Sequence, residues 1–165
     1  MPPLKRAKPG PGQESVWDYP RPPRVETTAE LVEITLGGVV VARSRAALRV
    51  LETSHPPTYY LPHADFVVGA LVPVEGSSYC EWKGAAAYLD VVGGDRVAPR
   101  GGWTYPTPSR GFEVLRDHVA VMPAAMDRCT VDGQTVQAQQ GGFYGGWITS
   151  RVVGPFKGGP GTHGW

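Results

Sequence analysis

The sequence has few cysteines, no long hydrophobic run and almost no excess of one charge. Cys80 and Cys129 are its only cysteines, and two widely separated thiols form neither a disulfide framework nor a zinc site of recognisable spacing. Both are interpreted as small buried side chains, and no metal site is assigned. The segment Met1–Arg24 holds seven prolines and no apolar run. Neither a secretory signal nor a membrane span is therefore predicted, and the cytoplasm is the expected location.

The balance of charge argues against one broad class of partner. The chain has 16 basic and 15 acidic side chains, which gives a formal net charge of +1. Such a chain has no long-range field that would attract nucleic acid or an anionic membrane surface. General nucleic-acid binding and membrane binding are therefore not expected, although a local basic patch is left open.

The composition is that of one globular domain with irregular ends. Apolar residues make up 41% of the chain and charged residues 19%, enough to bury a core. We expect a disordered tail over residues 1–12 and a single domain over residues 13–165. The proline-rich segment Gln13–Arg24 should lie extended against that domain. The glycine- and aromatic-rich segment Gly141–Trp165 should wrap it with aromatics in the core, in preference to stacking on single-stranded nucleic acid.

Short apolar segments separated by turn residues predict a mainly β fold. Leu31–Leu36 alternates in polarity, and Gly37-Gly38 joins it in a hairpin to Val39–Ala42. One short helix is predicted at about 45–52, with a helical turn within Arg110–Arg116. Further strands are predicted at Thr58–Leu61, Phe66–Val72, Ser78–Lys83, Ala86–Val92, His118–Met122, Cys129–Val131 and Gln134–Ala138. The expected architecture is a small antiparallel sheet, twisted or barrel-like.

The charged segment Ser78–Lys83 is the leading candidate for a functional surface. As a strand it would place Tyr79, Glu81 and Lys83 on one face and Cys80 on the other. Cys80 would then point away from the charged pair, which disfavours a catalytic thiol. Two interpretations of Glu81 and Lys83 remain open: a functional pair, or a solvated ion pair worth about 0–1 kcal/mol.

Two further segments favour a small-molecule site. Glu52–Pro62 combines a carboxylate, an imidazole and two phenols in a loop stiffened by proline, which reduces the entropy lost when a site is ordered. Trp103–Pro106 adds two more amphipathic aromatic side chains. An enclosed site lined by aromatic side chains with a few charged groups is typical of small-molecule pockets.

Three blocks of sequence carry a family resemblance. They are Ser78-Tyr79-Cys80-Glu81-Trp82-Lys83-Gly84, Glu52 with His55-Pro56-Pro57-Thr58-Tyr59-Tyr60, and Val153-Gly154-Pro155-Phe156-Lys157-Gly158. Together with the lead-in Ser15–Arg24, they resemble the bacterial and fungal family known as domain of unknown function 427, also labelled nucleotidyltransferase 9. The resemblance covers nearly everything after Gly12. It implies a small all-β, β-tent-like protein whose twisted, barrel-like sheet encloses a cavity.

The resemblance also implies which side chains line that cavity, and their chemistry suggests roles. Arg24, at the rim, and Lys83 would hold an anionic or carbonyl group, while Glu81 or Glu52 would act as a base and Tyr60 would donate a hydrogen bond. Glu81 and Lys83 are the catalytic candidates. The ligand-binding candidates are Arg24, Glu52, Tyr60, Glu81, Lys83 and Trp103.

The motifs give nucleotidyl transfer no support. That chemistry needs carboxylates to hold magnesium and a loop to hold phosphates, but the chain has no Asp-x-Asp and Gly154–Gly159 lacks the Gly-Lys-Ser/Thr order. The predicted function is binding, with or without conversion, of a small polar or anionic metabolite, with no cofactor assigned and a homodimer left open. The alternative is a structural or protein-interaction domain whose Glu, Lys and Arg side chains form a buried network.

Overall fold

Short strands dominate the computed structural model, which describes residues 5–165. The strands are β1 (Glu14–Ser15), β2 (Arg24–Thr27), β3 (Val32–Leu36), β4 (Val39–Ser44), β5 (Leu48–Leu51), β6 (Thr58–Pro62), β7 (Leu71–Cys80), β8 (Gly84–Gly93), β9 (Arg96–Thr104), β10 (His118–Val121), β11 (Arg128–Val131), β12 (Gln134–Thr135), β13 (Gln137–Ala138), β14 (Trp147–Ile148) and β15 (Val152–Val153). Four 3₁₀ helices of three residues each lie at Val16–Asp18, His63–Asp65, Glu113–Leu115 and Pro123–Ala125. The mainly β prediction is confirmed. In residues 5–165 no helix has the length and apolarity that crossing a membrane requires.

Two open sheets form the body of the protein. The larger has seven strands in the order β2-β5-β6-β10-β9-β8-β7, and the smaller has four in the order β12-β11-β3-β4. All neighbouring pairs in both sheets are antiparallel, as the sequence predicted. The large sheet ends on β2 and β7 and does not close into a barrel.

Strand β6 of the seven-stranded sheet buries side chains on both of its faces, and successive side chains of a strand point to opposite sides. Tyr59 and Leu61 of β6 join a cluster that also contains the apolar side chains of the four-stranded sheet. Tyr60, between them, packs in a second cluster with Val50 and Leu115. Burying a side chain such as Leu61 contributes about 1.5–3 kcal/mol. The second cluster forms the floor of the candidate site.

The predicted helix at about 45–52 is wrong, because this segment contains strand β5. Leu48 pairs with Tyr60 of β6, and β2 pairs along the other side of β5. Leu48 and Val50, two residues apart, both pack in the second cluster, which is the periodicity of a strand. Cross-strand pairing on both edges therefore overrides the local helix signal.

Other predicted elements are confirmed with shifted boundaries. The hairpin of β3 and β4 and the helical turn before residue 116 are present. The predicted strand Phe66–Val72 is wrong over residues 67–70, which turn before β7 begins at Leu71. Gln134–Ala138 is divided into β12 and β13. Strand β9, which carries three glycine or proline positions among its residues, was not predicted.

The N-terminal lead-in lies against the domain. Strand β1 pairs in parallel with β15, and the Trp17 indole donates a hydrogen bond to the Pro155 carbonyl at 2.9 Å. The tail predicted over residues 1–12 begins with residues 1–4, which lie outside the described residues, so its disorder stays a prediction. In the C-terminal segment Trp147 is buried as predicted, whereas Phe143 is 86% exposed and does not enter the core.

Candidate functional site

A pocket of about 530 Å³ opens on the second face of the seven-stranded sheet, within the usual size range of small-molecule sites. Its floor comes from side chains of β5, β6, β8 and β9. Three irregular segments complete the walls: the loop after β5, the connection between β7 and β8, and the glycine-rich chain before β14. The side chains that line the pocket include those of Glu52, His55, Tyr60, Cys80, Glu81, Lys83, Trp103, Tyr105, Gln139, Tyr144 and Lys157.

The predicted strand Ser78–Lys83 is confirmed over Ser78–Cys80, the end of β7, but is wrong over residues 81–83, which form a turn at the pocket. Strand β7 ends at Cys80 and β8 begins at Gly84, a position with a φ of 105° that favours glycine. Glu81 and Lys83 are therefore not related by strand alternation. The prediction that Cys80 points away from them is also wrong, because all three residues line the pocket.

Aromatic side chains form one wall of the pocket. The Trp103 indole nitrogen donates a hydrogen bond to the Tyr60 hydroxyl at 3.1 Å, and the two rings meet edge to face at 6.4 Å. Burial raises the pKa of Tyr60 well above its usual value, and it also raises the pKa of Tyr105. Both phenols therefore stay protonated. The Lys83 ammonium lies 5.8 Å from the centre of the Tyr105 ring.

Another part of the pocket lining carries an imidazole beside a carboxylate and an amide. The His55 Nδ1 atom lies 3.1 Å from the Gln139 Nε2 atom, and the His55 Nε2 atom lies 3.7 Å from the Glu52 carboxylate. Glu52 also pairs with Arg21 at 3.3 Å. Burial lowers the pKa of His55 to about 4, with help from nearby cations and against the pull of Glu52. This imidazole is therefore neutral at physiological pH.

Two ammonium groups of the pocket have no acidic side chain beside them. Lys157 donates to the backbone oxygen of Trp165 at 3.3 Å and lies 5.7 Å from the centre of the Tyr144 ring. Among residues 5–165, no Asp or Glu side chain lies within 4.0 Å of Lys83 or Lys157. Each of the two cations lies near an aromatic ring, at the distance of a cation–π contact.

The structure brings most of the predicted site residues to this pocket. Its lining includes Glu52, Tyr60, Glu81, Lys83 and Trp103. Arg24 is not part of it: this side chain is 57% exposed and pairs with Glu26 at 3.6 Å. The exposed Glu81 makes no ion pair with Lys83, so the solvated pair considered from the sequence does not form. The roles assigned to these side chains stay predictions.

A buried ion network that the sequence reasoning missed lies on the other face of β5. Arg49 is fully buried and pairs with Glu26 at 2.5 Å and Glu14 at 2.9 Å. Burial opposes ionisation of Glu14, but hydrogen bonds from Arg49 and Tyr19 and the charge of Arg151 outweigh it and lower the pKa of Glu14 to about 2. The sequence signal was a lone arginine in an apolar Leu-Arg-Val-Leu segment. This network joins β1, β2 and β5 and is separate from the pocket.

The sequence reasoning also missed Gln139 as a pocket residue. It lies on no strand, and its importance follows from three contacts that only the fold creates. His55 and Lys157 were noticed only as parts of longer blocks. A buried amide in a glycine-rich segment has no sequence signature of its own.

Residues 5–165 contain no group of three or more His, Cys, Asp or Glu side chains placed to hold a metal ion. Burial raises the pKa of Cys129 to about 12, which confirms the interpretation of this thiol as a small core side chain.

Comparison with known proteins places the chain in one family. No curated protein matches it. A family model described as a domain of unknown function matches residues 24–132. That range covers the sheet floor of the pocket and the β7–β8 turn, whereas Gln139, Tyr144 and Lys157 lie beyond it. Because the match spans well over half of the chain, the protein belongs to the DUF427 family, the family that its sequence blocks resemble.

Proposed function

We propose that the protein binds a small anionic metabolite in the pocket between Lys83 and Lys157. The observation that carries this proposal is that Lys83 and Lys157, both half-buried, line one pocket, and that among residues 5–165 no Asp or Glu side chain lies within 4.0 Å of either ammonium group. Removing a cation from water is costly unless a partner compensates it. A bound anion supplies that compensation.

The aromatic side chains of the pocket indicate that the ligand also has a flat or apolar part. Trp103 and Tyr105 offer apolar ring surface, while Tyr60 is held in place by the Trp103 hydrogen bond. Such a surface favours a ligand with a flat or apolar part next to its charged group. The proposed ligand is therefore a small organic anion such as a carboxylate or a phosphate ester.

The family model carries the label NTP_transf_9, so nucleotides belong among the compounds tested. Thermal unfolding is measured with simple carboxylates, sugar phosphates and mononucleotides, each beside a neutral analogue. A ligand at about 100 times its dissociation constant stabilises by about 2.7 kcal/mol, which raises the Tm by roughly 5–10 °C for a chain of this size. We expect such a shift with one class of anion only. No shift with any anion would contradict the proposal.

The alternative, a structural network, makes a different prediction for the same side chains. If Lys83 and Lys157 serve only stability, through their contacts with the Tyr105 and Tyr144 rings, replacing them lowers the free energy of unfolding by about 0.5–2 kcal/mol each. If they serve a ligand, their replacement leaves stability unchanged or raised while the ligand-dependent shift disappears. The Tm of the variants, measured without and with ligand, distinguishes a structural role of these lysines from a ligand-binding role.

A further inference from the structure

We infer that Gln139 holds His55 as the neutral tautomer with its proton on Nε2, so that the imidazole serves the pocket as a hydrogen-bond donor. The geometry of Gln139, of His55 and of the charges around them carries this inference. The tautomer does not depend on the proposed function, whereas its use by a ligand rests on it.

The orientation of the Gln139 amide is fixed by two backbone groups. Its Nε2 atom donates to the Lys157 carbonyl at 2.7 Å, and its Oε1 atom accepts from the Gly146 N–H at 3.1 Å. A carbonyl can only accept and an N–H can only donate. A flipped amide would lose both bonds, and Gln139 is 5% exposed, so water could not replace them.

The remaining hydrogen of that amide points at His55. The Gln139 Nε2 atom lies 3.1 Å from the His55 Nδ1 atom, and because the amide nitrogen is a donor, Nδ1 must accept. A neutral imidazole with an acceptor at Nδ1 carries its proton at Nε2. In a hydrolytic triad the assignment is reversed: Nδ1–H donates to a carboxylate and Nε2 is the base. His55 is therefore placed as a donor and not as a base.

The surrounding charges keep the imidazole neutral. Burial is the largest influence on the pKa of His55 and lowers it, and the cations Lys157, Arg21 and Lys83 act in the same direction. Glu52 alone opposes them. The aromatic neighbour is the uncharged Tyr144 ring, 5.1 Å away between centroids. The net result favours the neutral imidazole over the range in which a free histidine titrates.

The Nε2–H group is left for a ligand. Its nearest acidic neighbour is Glu52 at 3.7 Å, beyond hydrogen-bond distance, and His55 lines the pocket. Together with Lys83 and Lys157, this donor selects a ligand that carries an uncharged oxygen acceptor, such as a carbonyl, besides its anionic group. A ligand of that class makes one charge-assisted contact and one neutral hydrogen bond on the same wall.

Nitrogen NMR of the four imidazoles in the free protein tests the tautomer directly, with His55→Gln used to assign the His55 signals. We expect the pattern of an Nε2–H tautomer that does not change between about pH 5 and 8. An Nδ1–H pattern, or titration near the ordinary histidine value of about 6.5, would overturn the inference.

The substitution Gln139→Glu tests whether Gln139 sets the tautomer of His55. The same substitution at the exposed neighbouring residue, Gln140→Glu, is the matched control. A carboxylate at position 139 accepts from Nδ1–H, so we expect the His55 pattern to change to the other tautomer or to the imidazolium. Gln140→Glu should leave it unchanged. If Gln139→Glu folds and the Nε2–H pattern persists, Gln139 does not set the tautomer. If that variant does not fold, the wild-type spectra alone decide.

A binding experiment then tests whether a ligand uses the Nε2–H donor of His55. Its ligand is the anion that raises the Tm in the thermal unfolding measurements described above. His55→Gln keeps an N–H donor near the position of Nε2 and should retain most of the affinity, whereas His55→Leu should weaken binding about tenfold. Equal affinity for both variants would show that the ligand does not use the donor. If no anion binds, the proposed function fails while the tautomer stands on the NMR result.

Discussion

Two sets of cations in this protein differ in what lies beside their charge. The buried Arg49 is enclosed by the carboxylates of Glu14 and Glu26, whereas the half-buried Lys83 and Lys157 face a pocket with aromatic rings beside them. Acidic side chains of the protein itself balance the charge of Arg49. Under the proposed function a bound anion balances Lys83 and Lys157, so substitutions in the two sets should have opposite effects.

Replacing Arg49→Met should destabilise the protein by about 3–5 kcal/mol, because it leaves acidic side chains without their main partner. Urea denaturation followed by tryptophan fluorescence measures the change. Arg43→Met, at an exposed position of β4, is the matched control and should change stability by no more than about 0.5 kcal/mol. An equal loss of the free energy of unfolding in the two variants would show that the buried Arg49 stabilises the protein no more than an exposed arginine does.

Replacing Lys83→Met should leave the free energy of unfolding unchanged or slightly higher and abolish anion-dependent stabilisation. The methylene stem of the side chain is kept, so the packing against Tyr105 survives while the charge is lost. Lys8→Met, at an exposed position outside the pocket, should behave like wild type in both measurements. A loss of about 0.5–2 kcal/mol in Lys83→Met would favour a structural role instead.

At the level of residues, the sequence predicts which side chains are present but not what surrounds them. Glu52 and Tyr60 could be picked because they lie in a proline-stiffened loop rich in polar and aromatic side chains, Lys83 because it lies in a charged segment, and the family resemblance singled out all three. Arg24 has the same chemistry, yet pairing with Glu26 keeps it out of the pocket. Gln139 could not be found, since its function depends on contacts with residues 7, 18 and 84 positions away.

At the scale of elements, the pocket depends on a glycine-rich segment that approaches its neighbours closely. A Cβ atom at Gly146 would lie 2.5 Å from both the Gln139 Oε1 atom and the Pro56 ring, whereas a Cβ atom at Gly142 would meet nothing within 4 Å. Of these two positions, only Gly146 therefore requires glycine for packing.

Gly146→Ala should accordingly cost about 1–3 kcal/mol, as expected when a methyl group is forced into a filled site. Gly142→Ala should change stability by no more than about 1 kcal/mol, through the lower entropy of its unfolded chain. Chemical denaturation of the two variants side by side provides the measurement. Similar stabilities would mean that the segment adjusts freely around Gln139.

The elements that the sequence predicted correctly are those with strong local signals. The hairpin of β3 and β4 has alternation on both sides of a Gly-Gly turn, and Gly37 takes a positive φ of 62° there. Strand β5 was missed because its four residues are buried on both faces, so its pattern resembles a buried helix segment. The β7–β8 turn was missed because tryptophan is common in strands, so Trp82 suggested that the strand continues through it. Gly84, where β8 begins, was the signal of the change of direction.

At the scale of the whole molecule, the neutral His55 makes stability depend on pH. The pKa of this group is about 4 in the folded protein and about 6.5 when unfolded. The unfolded state therefore binds more protons between these values, and stability falls as the pH decreases through this window. The shifted pKa of Glu14 acts in a lower window, below its ordinary value.

Lowering the pH from 7 to 4.5 should therefore cost about 2–3 kcal/mol through His55 alone. The slope between pH 6.5 and 4.5 should be markedly smaller in His55→Gln, while the exposed His163→Gln should keep the wild-type slope. Urea denaturation at a series of pH values gives the comparison. A slope unaffected by His55→Gln would show that this imidazole titrates equally in both states.

Native mass spectrometry of the protein purified from its own host tests whether the pocket holds an anion between Lys83 and Lys157. We expect a retained small anionic molecule in wild type and in Lys8→Met, and its loss from the double variant Lys83→Met, Lys157→Met. A mass equal to that of the bare chain in wild type, or a molecule retained equally by the double variant, would contradict it.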